Sequence, residues 1–399
     1  MEEWKEYKLE EIGTIVGGAT PSTNEPHNYD GNISWITPKD LSNNSGRYIS
    51  RGERMITSEG YNSCSCKMLP KGSVLFSSRA PIGYVAIASN ELCTNQGFKS
   101  IIPNEQFVDS TFLYYLLVYN KAFIEGLGSG TTFKEVSGNV MKNVVVKIPC
   151  LEIQKQIANV LSSLDDKIEA NRRINDNLEQ QAQALFKSWF FDFDPFKDAE
   201  FVESELGMIP KGWRVGTLSD LANITMGTSP SGTSYNVSGE GEVFYQGRAE
   251  FGYRFPHRNM FTTEPKRYAE EGEVLLSVRA PVGDVNIANE RCCIGRGLAA
   301  IGSNSYPSYI LYLVKSLKSV FEKYNGEGTV FGSINKKALE GLRIIVPENR
   351  YIGRFEDVAN SLDGQIRCKE EESRRLASLR DTLLPKLMSG ELTLNNVNT

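Results

Sequence analysis

Between residues 152 and 190, mostly apolar side chains recur in alternating steps of four and three residues. This period of 3.5 residues is typical of a helix that packs along the seam of a coiled coil. We therefore predict one long helix over residues 151–190. Its seam consists of Ile157, Leu161, Leu164, Ile168, Asn171, Asn175, Leu178, Ala182, Leu185 and Trp189.

The same pattern returns 198 residues later and predicts a second long helix over residues 348–390. Both seams are apolar at their ends and polar in the middle. Antiparallel pairing is the simplest arrangement because the polar centres then meet and fix the register, with Asn171 and Asn175 near Lys369 and Ser373. The alternative is that each helix packs on its own globular half. The second seam consists of Phe355, Ala359, Leu362, Ile366, Lys369, Ser373, Leu376, Arg380, Leu383 and Leu387.

The chain outside the two helices is duplicated as well. Residues 79–98 and 279–298 are identical at 9 of 20 positions without a gap, and both begin with Arg-Ala-Pro-x-Gly. An apolar helix pattern follows each copy, at Thr111–Phe123 and at Pro307–Phe321. The sequence therefore predicts two copies of one globular domain.

Within these domains, short apolar runs alternate with stretches rich in Gly, Asn, Ser, Thr and Pro, which predicts short strands joined by long loops. We expect an α+β protein in which two duplicated mixed α/β domains are separated by two long helices that form an antiparallel coiled coil. The expected divisions are a first domain at 1–150, a central helix at 151–190, a linker at 191–211, a second domain at 212–347, a C-terminal helix at 348–390 and a flexible tail at 391–399.

Length and charge add limits to this picture. A chain of 399 residues favours two or more domains, and its apolar runs are too short to span a membrane. The charged N-terminus lacks an apolar signal region, so a cytoplasmic protein is expected. The net charge of −5 does not indicate nucleic-acid binding, so any contact with DNA must come from local patches.

Residue types that usually carry catalysis are scarce. Seven cysteines without a CxxC pair and two histidines favour unpaired thiols in a reducing compartment over a metal site. Asp192 and Asp194 lack a third ligand and are interpreted as loop residues. The sequence has no phosphate-binding loop, no dinucleotide-binding glycine motif and no Asn/Asp-Pro-Pro-aromatic tetrapeptide of amino-methyltransferases. We therefore expect no metal, no cofactor and no catalytic residue in this chain.

Residues 246–258 give the clearest indication of nucleic-acid binding. Arginine forks bind guanine edges and phosphates, glutamine binds adenine, and aromatic rings can support such a loop. The alternative is a solvated loop whose rings pack inward. The candidate DNA contacts here are Gln246, Arg248, Arg254 and Arg258, interleaved with Phe251, Tyr253 and Phe255.

Further candidates lie at matching places in both halves. A structural role is at least as plausible for the two arginines of the repeated motif, and the turn residues could equally cap a helix. In the first half the candidates are Thr37, Lys39, Asp40, Arg79, Asn95, Gln96, Thr132 and Lys134, and in the second half they are Arg279, Arg296 and Ser333.

Taken together, the order of these motifs resembles the specificity subunits of type I restriction-modification systems. The resemblance rests on the two Arg-Ala-Pro-x-Gly strands, the proline before each long helix (Pro149 and Pro347) and the sequence Leu-Leu-Pro-Lys-Leu-Met-Ser-Gly at 383–390, and it covers essentially the whole chain. It implies a host-defence protein in which each globular half is a target-recognition domain for one part of a split, asymmetric DNA sequence. It also implies that the helices set the unread spacer.

The resemblance further implies the partners of this chain. They are double-stranded DNA, two methyltransferase (modification) subunits docked on the helices and, in the full complex, restriction/translocase subunits. S-adenosylmethionine, ATP and Mg²⁺ would belong to those subunits, so this chain would be the non-catalytic member of an adenine-N6 methyltransferase and endonuclease complex.

Two other interpretations remain open. The chain could be a free-standing, repressor-like DNA-binding protein, or a coiled-coil scaffold with two protein- or glycan-binding domains. The basic and aromatic loop at 246–258 argues against the scaffold.

A helix of 39 residues is about 58 Å long. Such a helix could hold two DNA-reading domains one turn of B-DNA apart, which is roughly 34 Å.

Overall fold

The computed structural model describes residues 4–44, 46–130, 134–326 and 332–394. These residues form two compact units, of which unit 1 lies within Met1–Asn171 and Glu372–Thr399 and unit 2 is Arg172–Glu371. Each unit therefore contains one globular part and a segment of both long helices.

The globular part of unit 1 is a mixture of short strands and short helices. Its elements are β1 (Lys5–Lys8), α1 (Leu9–Ile12), β2 (Gly13–Gly17), β3 (Tyr29–Ile36), α2 (Pro38–Asn43), β4 (Tyr48–Ile49), β5 (Met55–Ile56), α3 (Ser58–Asn62), β6 (Val74–Ser78), β7 (Ile82–Ala88), β8 (Cys93–Thr94), β9 (Lys99–Pro103), α4 (Ser110–Tyr119), α5 (Lys121–Gly126), α6 (Gly138–Lys142) and β10 (Val145–Ile148), and the long helix α7 (Leu151–Phe190) follows.

Unit 2 repeats the main strands and the later helices of this order, whereas 3₁₀ turns at Leu218–Asp220 and Arg248–Glu250 take the places of α1 and α2. After α7 come β11 (Phe201–Ser204), β12 (Gly207–Pro210), β13 (Arg214–Thr217), β14 (Asn223–Met226), β15 (Tyr235–Asn236), β16 (Glu242–Tyr245), β17 (Phe261–Thr262), β18 (Tyr268–Ala269), β19 (Val274–Ser277), β20 (Val285–Ile287), β21 (Cys292–Ile294), β22 (Leu298–Gly302), α8 (Pro307–Ser316), α9 (Lys318–Glu322), α10 (Lys336–Glu340), β23 (Arg343–Val346) and the long helix α11 (Asn349–Met388).

Equivalent strands pair in the same way in the two units. In unit 1 the sheets have the orders β2-β9-β6-β7-β4 and β5-β3-β8, and in unit 2 they have the orders β14-β22-β19-β20 and β15-β17-β16-β21-β18. The first strand of each globular part pairs antiparallel with its last, β1 with β10 and β13 with β23. The peptide bonds Ala80-Pro81 and Ala280-Pro281 are both cis. The duplication in the sequence is thus also a duplication of structure.

The main core of each unit lies between the sheet and the helices. In unit 1 the buried side chains of α4 pack with residues of α7 and with Leu387 of α11. In unit 2 those of α8 pack with Phe186 of α7 and Phe355 of α11, whose ring centroids are 5.4 Å apart. Each globular part is therefore fastened to both long helices through apolar contacts.

The two predicted long helices are present, and each has 40 residues. All positions of both seams are buried or half-buried. They include the central polar pair Asn171 and Asn175, which is fully buried. The 3.5-residue pattern thus marks the face of each helix that is removed from solvent.

Three local expectations need correction. The apolar helix predicted at Thr111–Phe123 is two helices that meet at Asn120, whose side-chain amide donates to the Leu116 carbonyl at 2.8 Å. Its counterpart in unit 2 is divided at Leu317. The segment 191–211, predicted as an extended linker, contains the antiparallel hairpin of β11 and β12, which closes through Gly207 at a φ of 97°.

Candidate nucleic-acid interface

In unit 2 four of the candidate residues lie near the place where two parallel strands end. Strands β16 and β21 pair in parallel, with Tyr245 opposite Ile294. Because the carboxyl ends of parallel strands lie at the same edge of a sheet, the residues that follow them are neighbours. We define the second edge as Gln246, Arg248, Arg279 and Arg296, all of which are exposed.

The charges of the second edge are held by local contacts. The guanidinium of Arg248 pairs with the carboxylate of Asp284, and both side chains are about half exposed. The backbone N–H of Arg296 donates to Ser229 Oγ at 3.2 Å, which fixes the backbone from which this exposed side chain extends. Arg279 forms a β-bridge with Ser333, so this predicted turn residue is brought to the same edge.

The first edge in unit 1 is built on the same geometry. Strands β3 and β8 pair in parallel, with Ile36 opposite Thr94, so Thr37 and Asn95 follow them side by side. We define the first edge as Thr37, Lys39, Asp40, Asn95 and Gln96, together with Arg79. Arg79 is included because Ser78 N donates to the Gly97 carbonyl at 2.8 Å.

Within the first edge, some side chains are occupied by local structure. Thr37 caps helix α2, and Asp40 accepts from Thr37 N at 2.7 Å and from Glu53 N at 2.7 Å. Asn95 Oδ1 accepts from Gly97 N at 2.9 Å. These residues shape the edge, whereas Lys39 and Gln96 are exposed.

The cations of the first edge are also paired with carboxylates. Lys39 Nζ lies 2.7 Å from Glu53 Oε2, and this hydrogen bond is the main reason that the pKa of Lys39 is raised. Arg79 Nη1 lies 3.8 Å from Glu135 Oε2, and the two residues also form a β-bridge. This bridge brings Lys134, the chain neighbour of Glu135, to the first edge. Thr132 lies outside the described residues.

Two residues of the interface were missed by sequence analysis. Thr20 in unit 1 hydrogen-bonds to Gln96 through its side chain, and Ser229 in unit 2 binds the backbone of Arg296. The sequence feature that could have indicated both residues is the repeated pattern Gly-x-Thr/Ser-Pro-Ser, which begins at Gly18 and at Gly227. A Cβ at either glycine would collide with the carbonyl oxygen of Asn95 or Gly295, so only glycine lets this loop approach the edge.

Two predicted DNA contacts lie elsewhere. Arg254 is only 3% exposed, and its guanidinium binds Glu179 and Asp363, which corrects the expectation that it contacts DNA. Arg258 is exposed, but its Nε lies 3.0 Å from Glu290, which precedes β21 and so lies at the end of that strand opposite Arg296. The loop 246–258 therefore contributes its first part to the second edge and its remainder to other contacts.

The two carboxylates that the sequence indicated as loop residues form local ion pairs. Asp192 pairs with Lys187 and Asp194 with Lys197. The seven cysteines are free thiols, and burial raises the pKa of Cys93 to about 11 and that of Cys292 to about 12. Within the described ranges there is no group of three or more His, Cys, Asp or Glu residues that could hold a metal ion.

The helices in the described part of the chain include none that is long and apolar enough to cross a membrane.

The fold and the two edges define a duplicated protein whose two units present equivalent polar and basic edges with different side chains. The family model described as "Type I restriction modification DNA specificity domain" matches residues 1–180 and 210–355. The chain therefore belongs to the specificity subunits of type I restriction-modification systems, as its sequence motifs predicted.

Individual relatives agree with this assignment. The chain is 36% identical to the type I restriction enzyme MjaIX specificity subunit of Methanocaldococcus jannaschii, across 99% of this chain and 95% of that protein. It is 25% identical to the HindI specificity subunit of Haemophilus influenzae, across 98% and 100% of the two chains. The crystal structure of a type I restriction-modification S subunit from M. genitalium superposes with a TM-score of 0.61 at 17% identity, over 97% of this chain and 96% of the other, and so shares the fold.

Proposed function

We propose that this chain is the non-catalytic subunit that selects the DNA target of a type I complex. Unit 1 reads one part of a bipartite, asymmetric sequence through the first edge, and unit 2 reads the other part through the second edge. The recognition domains correspond to residues 1–150 and 212–347. The helices 151–190 and 348–390 fix the spacer. The segment 191–211 connects the central helix to the second recognition domain, and the segment 391–399 is the C-terminal tail.

The equivalence of the two edges carries this proposal. Both edges follow a pair of parallel strands at the same place in the fold, yet they differ in the side chains presented. Thr37, Lys39 and Gln96 stand where Gln246, Arg248 and Arg296 stand in the other unit. Amide and guanidinium groups distinguish base pairs in the major groove, so a shared scaffold with unshared side chains suits two different half-sites.

We further propose that the two long helices form an antiparallel coiled coil. In unit 1, Asn171 Nδ2 donates to Glu372 Oε2 at 3.0 Å and to Ser373 Oγ at 3.3 Å, and Arg380 Nη1 lies 2.7 Å from Asp165 Oδ1. Residue numbers therefore fall along α11 as they rise along α7. This direction supports antiparallel pairing with polar residues opposite each other.

The contacts in unit 2 support the same direction. Asn175 Nδ2 donates to Glu370 Oε1 at 3.1 Å, whereas Phe186 packs on Phe355. The polar contacts come from the middle of each helix and the aromatic contacts from the ends that the sequence pattern marked as apolar.

The proposed partners follow from family membership. They are double-stranded DNA, two methyltransferase subunits that dock on the long helices, and restriction/translocase subunits in the full complex. S-adenosylmethionine, ATP and Mg²⁺ would be bound by those subunits, which fits the sequence of this chain because it lacks the motifs for them.

Co-expression with the methyltransferase that is encoded beside this chain tests the function directly. Methylated adenines are mapped across the host genome, first for the natural chain and then for a chimaera in which residues 213–347 are replaced by those of the MjaIX relative. We expect a split motif with a constant gap. In the chimaera one half of the motif changes and the other half is retained.

A continuous motif, or a chimaera that changes both halves, would contradict the bipartite proposal. Tight sequence-specific binding by the isolated chain, with no methyltransferase bound under any condition, would favour a free-standing DNA-binding protein.

A further inference from the structure

Each unit buries one arginine at the same place in the fold. The backbone carbonyl of Arg47 accepts from Ile87 N at 2.8 Å, and that of Arg254 accepts from Ile287 N at 3.0 Å. Their side chains are 5% and 3% exposed. The two arginines are therefore structural equivalents, although the surrounding loops share little sequence.

In unit 1 the arginine joins the globular part to the long helices. Arg47 Nη2 lies 2.8 Å from Asp166 Oδ1 and Nη1 lies 3.6 Å from Asp165 Oδ2, both on α7. Asp165 also accepts from Tyr115 of α4 and, at 2.7 Å, from Arg380 of α11. One carboxylate thus connects the globular part with both helices.

Unit 2 has a matching cluster. The guanidinium of Arg254 binds Glu179 of α7 and Asp363 of α11, and Tyr312 of α8 donates to Asp363 at 2.7 Å. Lys315, also on α8, binds Glu179. Asp363 is the repeat equivalent of Asp165, 198 residues later, and each accepts a tyrosine hydroxyl.

The groups around Arg254 keep its guanidinium charged inside the protein. Burial is the largest influence on Arg254 and acts to lower its pKa, but Asp363, Tyr312 and Glu179 outweigh it, so the pKa is raised. A buried ion pair adds little net stability because desolvation offsets its attraction, but the planar guanidinium fork has a fixed geometry. Such a cluster is better suited to fixing an orientation than to stabilising the fold.

A single strand links each arginine to the DNA-facing edge of its unit. In unit 2, β20 begins after Asp284, the partner of Arg248, and ends at Ile287, which is hydrogen-bonded to Arg254. In unit 1, β7 begins after the Arg79-Ala-Pro turn and includes Ile87, which is hydrogen-bonded to Arg47. A rotation of the globular part about its arginine would therefore move the edge.

We propose that Arg47 and Arg254 are positioning residues that hold each edge at a fixed orientation on the helices, so that spacer length is set by these clusters as well as by the helices. This inference rests on the proposed function. It assigns the buried arginines no contact with DNA.

The test measures spacer tolerance separately from base preference. The whole chain is co-expressed with its methyltransferase, and methylation is followed on two DNA libraries. One library keeps both half-sites and varies the spacer by one or two base pairs, and the other keeps the spacer and randomises each half-site. The variants are Arg254→Lys, which keeps the charge but loses the fork, and the matched control Arg291→Lys, an exposed arginine of the same unit.

We expect Arg254→Lys to reduce the preference for the natural spacer over its neighbours by about tenfold, which corresponds to about 1.4 kcal/mol. Base preference in both half-sites should be unchanged, and Arg291→Lys should match the natural chain in both libraries. Loss of base preference in one half-site with intact spacer discrimination would overturn the inference, because Arg254 would then act in base reading. A folded Arg254→Lys that matches the natural chain in both libraries would overturn it as well.

A milder variant covers the case in which Arg254→Lys does not fold. Tyr312→Phe removes only the hydroxyl that donates to Asp363, and the same relaxation of spacer preference is expected to a smaller extent. A folded Tyr312→Phe with natural spacer discrimination would then overturn the inference. The natural chain tests the proposed function independently, since failure to methylate any split target would contradict that function before a variant is compared.

Discussion

At the scale of single residues, one cation of each edge is already paired with a carboxylate. Lys39 pairs with Glu53 and Arg248 pairs with Asp284, and all four side chains are substantially exposed. Exposed ion pairs contribute little net free energy because water screens them, so under the proposed function DNA would displace each carboxylate at small cost. The pairs can therefore hold the cations in place before binding without opposing it.

Arg248 is the residue of the second edge whose removal should change specificity most. Arg248→Ala should weaken discrimination at one base pair of one half-site by about 5- to 150-fold, because a bidentate base contact is worth about 1–3 kcal/mol. Methylation of a randomised half-site library in the co-expressed complex measures this preference.

Arg291→Ala, an exposed arginine beyond the second edge, provides the matched control and should leave the preference unchanged. A uniform loss of methylation on all sequences after Arg248→Ala would instead identify a phosphate contact.

The buried Glu179 predicts a dependence of stability on pH. Burial is the largest influence and acts to raise its pKa, but the attraction of Arg254 and Lys315 outweighs burial and the pKa is lowered from 4.5. The ionised carboxylate therefore stabilises the fold above its usual pKa, and this contribution is lost as the pH falls through the lowered value. Glu179→Gln should lower the thermal midpoint at pH 7, and its deficit relative to the natural chain should shrink at pH 4.

Differential scanning calorimetry at the two pH values measures this deficit. Glu203→Gln, at an exposed carboxylate in the β11–β12 hairpin, should cause little change at either pH. An equal deficit of Glu179→Gln at pH 7 and pH 4 would show that the ion pairs of Glu179 do not carry the effect.

At the scale of secondary-structure elements, the seam of the long helices contains a fully buried polar pair. Polar residues at such positions fix register and orientation while lowering stability. The double variant Asn171→Leu/Asn175→Leu should raise the thermal midpoint by a few degrees, because each leucine buries apolar surface worth about 1.5–3 kcal/mol at most. It should also make the relative orientation of the two long helices less well defined, and light scattering would detect this as self-associated species.

Asn177→Leu, at an exposed position of the same helix, is the control and should produce neither effect. A double variant that melts at a lower temperature would show that the buried amides stabilise the helices more than leucine does.

The sequence predicted these helices well because their signal is local and long. Ten successive seam positions keep the 3.5-residue period, so a few polar members such as Asn171 do not obscure it. The break at Asn120 and the β11–β12 hairpin were missed, since each depends on one or two residues. Strands such as β8 and β21 have two or three residues and carry too little pattern to be found this way.

The candidate interface was predicted only as a set of separate segments. Thr37 and Asn95 are 58 positions apart and become neighbours through the parallel pairing of β3 and β8, which no local pattern reveals. Arg254 was misinterpreted because an arginine among aromatic residues suits both a DNA contact and a buried ion pair. Its partners, Glu179 and Asp363, are distant in the sequence.

At the scale of the whole molecule, duplication separates what is shared from what varies. The strand pairings, the buried arginines and the helix seams recur in both units, whereas the residues at the two edges differ except for the equivalent Arg79 and Arg279. Under the proposed function, such a division would allow the target to change by substitution at the edges while the mechanism that sets the spacer is retained. The long helices should therefore control spacer length independently of the bases that are read.

Lengthening both long helices by one turn tests this independence. Four residues inserted after Arg172 and four after Glu371 add about 6 Å to each helix at 1.5 Å per residue. Since a base pair rises about 3.4 Å along the duplex, we expect the methylated motif to keep both half-sites and gain about two base pairs of spacer. The same insertion after Gly390, beyond the end of α11, is the control and should leave the motif unchanged. If the spacer stayed the same when both helices were lengthened, the helices could not be what measures it, and the distance between half-sites would have to be set within the globular parts.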